Sequence, residues 1–327
     1  MKKKSYNSLD LGKFVAAVLV VAIHSNPFEY LGMTGGIIRS CLLRLAVPFF
    51  FLTSSFLFFS RNPQLPDVRH YVKRILILYA FWAVFSIPLF YIYHTPPYGE
   101  PITVSQLIWN FFFSSTYPGS WFLMASLESV LLVWLLSRFL NNSCLFVLCI
   151  ILYCFSMGVF DEIQSDGLLK YLHDIQGNWA YASIYFCVGK IVADNRNLYN
   201  TGKKHIWLVL MVALAVFDVI SYLQMIPMGS ASHRYLLVPL STSILLFVLC
   251  HEVNYHLPYY TMRKMSTMFY LSHFSFVAMV AFVLHHFIGI DAPMLRYLLV
   301  LLCCLLLFVC IQNLSAKKRF CWLKYGI

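Results

Sequence analysis

Charge is scarce in this chain, and acidic charge most of all. Its 327 residues include 13 Asp and Glu against 24 Lys and Arg, and charged residues make up 11% of the total. Soluble domains carry about a quarter, so most of this chain has no water-facing surface to offer. Metal-ligand spacing is missing too. There are ten cysteines but no CxxC pair, and most, such as Cys303, Cys304 and Cys310, sit inside apolar runs. That argues against a metal site and a disulfide framework. No internal repeat, low-complexity tract or soluble domain is visible. The net charge of +11 is not a nucleic-acid signal, because the basic residues fall in short loops between apolar runs, as topology signals do.

What fills the chain is apolar: 60% of residues are hydrophobic. Roughly ten runs read as membrane spans, at about 9–30, 36–60, 74–95, 120–140, 144–160, 178–194, 206–223, 235–252, 266–287 and 295–313. The expected fold is all-α, a polytopic transmembrane helix bundle forming a single domain over residues 1–327. The start, MKKKSYNSLD, has the basic character of a signal peptide. The run after it lacks a small-residue cleavage site and reads as a retained helix. The aromatic stretch from Gln106 to Trp121 reads as a re-entrant or interfacial segment.

Orientation follows from basic residues. With the N-terminus inside, Lys2, Lys3, Lys4, Arg61, Arg69, Lys73, Arg74, Arg138, Arg196, Lys203, Lys204, Arg263, Lys264, Lys317, Lys318, Arg319 and Lys324 are all internal. The outer loops hold Lys170, Arg234 and Arg296. The imbalance predicts that both termini are cytoplasmic and that the inner loops can touch anionic lipid.

Against this background the ionisable residues inside the runs stand out. The first run, LDLGKFVAAVLVVAIHSNPF, carries Asp10, Lys13 and His24. Lys13 and His24 are eleven positions apart, so in a helix they differ by about 20° and share a face, with a rise of roughly 16 Å between them. Ionisable groups at membrane depth face protein or a water-filled cavity. Counting depth at about 1.5 Å per residue places His24, Arg44, Glu128 and Asp218 at one level in the outer half. Lys13, Lys190 and His273 fall in a lower set. Pro48 removes the helical partner of the Arg44 carbonyl, so a break is expected there. Each of these residues also has a bland reading. His24 could bond a neighbouring helix, Arg44 could pair with Glu128 or Asp218, and Lys13 and Lys190 could snorkel to headgroups. His285 and His286 read as interfacial, and Trp109, Trp121 and Trp179 as aromatic-belt residues.

LDLGKFVAAVLVVAIH resembles the opening of the membrane-bound acyltransferase-3 family, which carries a basic residue, ten residues, then a histidine on its first helix. RLAVPFFFLTSSFLFF, from Arg44 to Phe59, is similar to the family's Arg–x–x–Val–Pro–hydrophobic–Phe–Phe–x–x–Ser–Gly stretch. Two departures show: Lys13 stands where arginine is usual, and Ser55 where glycine is usual. Lysine occurs in a branch that includes the membrane domains of vancomycin-resistance serine racemases. YLSHFSF, around His273, is similar to a Tyr–Leu–x–His stretch common in the family.

The resemblance implies a multi-pass protein of the bacterial inner membrane. It would transfer an acyl group, most often acetyl, from acyl-CoA to a hydroxyl of an envelope glycan or lipid-linked sugar. In that reading His24 is general base or transient acyl carrier. Arg44 stabilises the oxyanion or binds donor, and Glu128 orients His24. Lys13, with Lys190 and His273 in the same lower set, forms a donor entrance, lysine binding phosphate as a point charge. No permanent cofactor, metal or nucleic acid is expected. The lysine branch keeps a second reading open: a small-molecule or amino-acid binding or transport module. Only the enzyme needs a cytoplasmic thioester.

Overall fold

The computed structural model describes residues 6–93, 101–113, 116–117, 119–156, 177–225, 235–251, 253, 255–290 and 292–326. Among them all regular structure is helical. Lys2, Lys3, Lys4, Lys170 and Arg234, used above for orientation, lie outside the described residues. Among the described residues, five helical stretches are long and apolar enough to cross a membrane: Asn7–Ser25, Met33–Phe59, Lys204–Gln224, Tyr259–Ile288 and Pro293–Ser315. Trp121–Leu136, Asn142–Ser156 and Leu237–Cys250 are shorter apolar helices. The chain forms two compact units. The first is Met1–Thr53 with Asn195–Ile327, and the second is Ser54–Asp194.

In the first unit, helix Asn7–Ser25 buries Leu9, Asp10, Ala16, Ala17, Val20, Val21 and Ala22. The three- and four-residue spacing makes one stripe, and the stripe packs along Tyr259–Val283. In lipid there is no water to drive two helices together, so close packing of small residues must do it. Ala16, Ala17 and Ala22 serve that end, and Gly12 does so next to Phe49: a Cβ on Gly12 would meet the Phe49 ring at 2.8 Å.

The first helix ends earlier than the sequence reading placed it. Asn26 adopts a left-handed conformation (φ 51) and its N–H bonds the Ala22 carbonyl, which closes the helix at Ser25. Pro27 follows and cannot resume it. His24 therefore lies in the last turn.

The second apolar run breaks where Pro48 predicts. An α-helical start, Met33–Ile37, gives way to a π turn, Ile38–Leu42, and then to a 3-10 turn, Leu43–Leu45. Regular α-helix resumes at Ala46 and runs to Phe59. The irregular turns absorb the carbonyls that the proline cannot serve. Leu45 packs there with Leu237 and Leu240, and with Met211, Leu214 and Ala215.

In the second unit, helix Gly177–Asp194 packs between Trp121–Leu136 and Asn142–Ser156. The Ser55 hydroxyl donates to the Phe186 carbonyl at 2.5 Å. Helix Leu65–Phe85 starts with a proline in its first turn and a capping box in which Gln64 N–H donates to Asp67 at 2.9 Å. Residues 114, 115 and 118 of the aromatic segment expected to be re-entrant or interfacial lie outside the described residues, and the segment overlaps helix Val104–Phe113, with ten residues. At about 1.5 Å per residue it is too short to span a bilayer.

Candidate functional site

Asp10 and His24 mark the two ends of the first helix, and each meets the same neighbour, Tyr259–Val283. At one end Asp10 takes a two-pronged ion pair from Arg263: Nε to one oxygen at 2.7 Å and Nη2 to the other at 2.6 Å. At the other end the His24 and His273 rings lie 5.1 Å apart between centres. Numbers rise together along both helices, so the two run parallel. This corrects the depth expected for His273. Its helix begins at Tyr259, not near 266, so His273 stands about 21 Å along it by helix rise. It belongs with His24, not with a lower donor entrance.

His24 is exposed and His273 is buried at 1% exposure. Phe274 closes on both, its ring centre 4.2 Å from His24 and 4.5 Å from His273. The His273 Nδ1 lies 2.6 Å from the Tyr270 carbonyl, while its Nε2 is buried without a hydrogen-bond partner among the described residues. Next to His24, the Ser25 carbonyl accepts from Arg296 Nε at 3.3 Å and Nη2 at 3.0 Å. A cation on the carbonyl end of a helix is favourable to the helix dipole. Arg296, His285 and His286 also line a cavity of about 340 Å³. Arg39 lies within Coulombic reach of His24.

Arg44, half-buried in the 3-10 turn, lies within Coulombic reach of Asp218. Asp218 is fully buried, the one buried residue described on Lys204–Met225, whose other side chains are half-buried or exposed. Neither of its oxygens has a hydrogen-bond partner among the described residues, and the Cys41 thiol sits beside it as a weak donor at best. The carboxylate next to Arg44 in its own unit is thus Asp218. Lys13 is half-buried on the first helix, on the stripe that ends at His24.

Two expected site residues belong to the second unit. Glu128 is half-buried on Trp121–Leu136, next to Ser129, whose hydroxyl donates to the Trp179 carbonyl at 3.2 Å. Lys190 donates to Asp194 at 2.7 Å and to Asn142 at 2.9 Å. Its charge is met within its own unit, as for a structural cation. Among the described residues no group of three His, Cys, Asp or Glu is placed to hold a metal ion.

Sequence reasoning missed the partners of these groups. In the sequence Arg263 looks like an inner-loop cation and Arg296 like an outer-loop charge, and no motif marks Arg39. Asp10 lies near the Lys13–His24 stripe, and a buried carboxylate demands a cation; that demand was the available signal for Arg263.

Comparison with known proteins agrees with the motifs. A family model described as an acyltransferase domain matches residues 6–316. A curated amino-acid racemase of Enterococcus faecalis is 24% identical over 97% of this chain and 47% of its own length. A serine/alanine racemase of Enterococcus gallinarum is 24% identical over 99% of this chain and 47% of its own. The chain thus spans about half the length of those two relatives. No solved structure matches it.

Proposed function

The chain belongs to the membrane-bound acyltransferase-3 family, and on that footing we propose that it moves an acetyl or related acyl group from acyl-CoA to a hydroxyl of an envelope glycan or lipid-linked sugar. The observation that carries this reading is the Lys13–His24 stripe, with His24 exposed at its far end beside His273. His24 takes the proton of the acceptor hydroxyl as that oxygen attacks the thioester carbonyl. The carbonyl becomes a tetrahedral oxyanion. Its collapse breaks the carbon–sulfur bond, and the CoA thiolate leaves with a proton returned by His24. Ester and free thiol are the products. Arg44 is the candidate for stabilising the oxyanion, and Glu128 stays a candidate on its depth alone.

Lys13 is the candidate donor contact. About 16 Å of helix rise separates it from His24, comparable to a pantetheine arm. With Lys190 engaged by Asp194 and Asn142, the donor reading rests on Lys13. Lys13→Ala should raise the donor concentration needed for half-maximal rate about tenfold and leave the saturated rate nearly unchanged, because a phosphate contact remote from the reacting carbon acts on binding. Lys13→Arg should be tolerated. Radiolabelled acetyl-CoA titrated against membranes at equal protein level measures both. An unchanged donor dependence in Lys13→Ala would move the entrance elsewhere.

The protein is multi-pass in this reading, with about ten spans and both termini on the cytoplasmic side of a bacterial inner membrane. The parallel run of the first helix and Tyr259–Val283 supports it, since that pairing needs an odd number of crossings between them, and the sequence supplies about seven. A periplasm-only reporter fused after Ile327 should be inactive, and strong activity would refute the orientation.

A second reading is favoured by the names of the relatives, which are amino-acid and serine/alanine racemases. This chain would then be a membrane module that binds or carries a small molecule or amino acid. The test is direct: purified protein in nanodiscs, given radiolabelled acetyl-CoA, either transfers or hydrolyses the thioester or does not. No donor turnover and no donor binding would favour the module.

A further inference from the structure

His273 carries chemistry that the reaction proposed above does not use. A backbone carbonyl only accepts hydrogen bonds, so at 2.6 Å from the Tyr270 oxygen the Nδ1 of His273 must be the donor. In the neutral ring that assigns the proton to Nδ1 and the lone pair to Nε2. Nε2 is buried and has no hydrogen-bond partner among the described residues. An acceptor left bare in a packed interior is destabilising. Such a group calls for a donor that arrives during function.

The neighbouring His24 ring is placed to be that donor. Its centre is 5.1 Å from the centre of His273, and the ring planes are tilted by 33°. An in-line imidazole N–H···N bond of about 2.9 Å, with roughly 1.2 Å from nitrogen to ring centre on each side, separates the centres by about 5 Å. The spacing therefore already matches. Only a rotation of the His24 ring is required, and His24 is exposed on its outer side. Phe274 packs on both rings and confines where they can go.

We propose that His273 is the positioning residue of His24. Its bare Nε2 accepts the N–H of His24, which fixes the His24 tautomer and turns the opposite nitrogen, with its lone pair, toward the acceptor hydroxyl. When that nitrogen takes the hydroxyl proton, the resulting imidazolium keeps its bond to Nε2, and no proton need reach His273. The proposal rests on the reading of His24 as general base.

Two readouts separate the proposal from that reading. The full chain is labelled with 15N-histidine in lipid nanodiscs, and the His24 and His273 nitrogen shifts are recorded, which report tautomer directly. In parallel, release of radiolabelled acetate or acylated product from acetyl-CoA is followed for wild type, His273→Phe and His273→Gln. Phenylalanine keeps the ring and removes the lone pair. Glutamine places a carbonyl oxygen near Nε2. The expected result is a single His24 tautomer in wild type and a mixture in His273→Phe. With it, kcat should fall about 10- to 100-fold at nearly constant KM, the range seen when an orienting partner is lost, and glutamine should recover part of it. If His273→Phe folds and leaves the His24 tautomer unchanged, the proposal is overturned whatever the rate does. If His24 and His273 behave as expected in the spectra but wild type turns over no acetyl-CoA, the contact stands and the enzyme reading is what fails, taking the catalytic purpose of the contact with it. If His273→Phe does not fold, a His24 mixture in His273→Gln with no loss of kcat overturns the proposal equally.

Discussion

His24→Gln is expected to lower acyl transfer at least about 100-fold while the protein inserts and accumulates normally, the size of effect that follows from removing a general base. The expectation comes from position. His24 sits in the last helical turn, exposed on one side and in ring contact with His273 and Phe274 on the other. It fills no buried core position, so its replacement leaves no large cavity. Glutamine keeps hydrogen-bonding capacity at similar reach, yet it cannot accept a proton from a hydroxyl at neutral pH. A structural histidine would be rescued by it, and a catalytic one would not. His24→Ala should therefore be no worse than His24→Gln. The measurement is incorporation of radiolabelled acetyl from acetyl-CoA into membrane acceptors at matched protein level. Full activity in His24→Gln would remove His24 from the chemistry and favour the small-molecule module.

The helices were legible because they follow local rules: each expected apolar run coincides with helix over most of its described residues. The break before Pro48 was legible for the same reason, since a missing N–H acts within four residues. The stop at Asn26–Pro27 was present in the sequence as a left-handed cap followed by proline. It was overrun because Phe28 continues the apolar character. What the sequence did not disclose is which helix lies beside which. In lipid, apolar stripes are nearly interchangeable, and pairing is decided by small-residue fit and by a few polar groups far apart in the chain. Asp10 and Arg263 are separated by 253 positions. No local pattern ties them, nor Arg44 to Asp218, nor His24 to His273. The division at Thr53–Ser54 and Asp194–Asn195 was invisible for the same reason, because one helix, Ala46–Phe59, runs straight through the first boundary. Depth counting failed for His273 through a single misplaced helix start. The seven residues between Tyr259 and 266 amount to about 10 Å of rise, enough to move a side chain from one membrane half to the other.

The Asp10–Arg263 pair should show an asymmetry that only its burial explains. The two side chains are bound by two charge-assisted bonds, yet their surroundings differ: Asp10 keeps 3% of its side-chain surface and Arg263 keeps 47%. Arg263→Met strands a carboxylate inside the bundle, because Asp10 is short and fixed on the packed face of the first helix. Asp10→Asn strands an arginine that has a long stem and an open path to water or headgroups. Breaking a fully buried pair costs about 3–5 kcal/mol, and an exposed pair about 0–1. With one partner half-exposed, Arg263→Met should cost about 2–3 kcal/mol, and Asp10→Asn about 1 or less. In nanodiscs the melting temperature should accordingly fall several degrees further for Arg263→Met than for Asp10→Asn. Adding Asp10→Asn to Arg263→Met should restore much of the loss, since the stranded charge is then gone. Equal losses for the two single variants, or no recovery in the double, would mean that the pair contributes through shape alone. The same variants bear on catalysis. Asp10 and Arg263 join the same two helices that bring His24 and His273 together at the opposite end. A first helix loosened at Asp10 can shift or turn against Tyr259–Val283, and a shift of about 1 Å at a reacting group is enough to cost roughly 100-fold in rate. Arg263→Met should thus lower acyl transfer even below its melting temperature, and the double variant should regain rate together with stability.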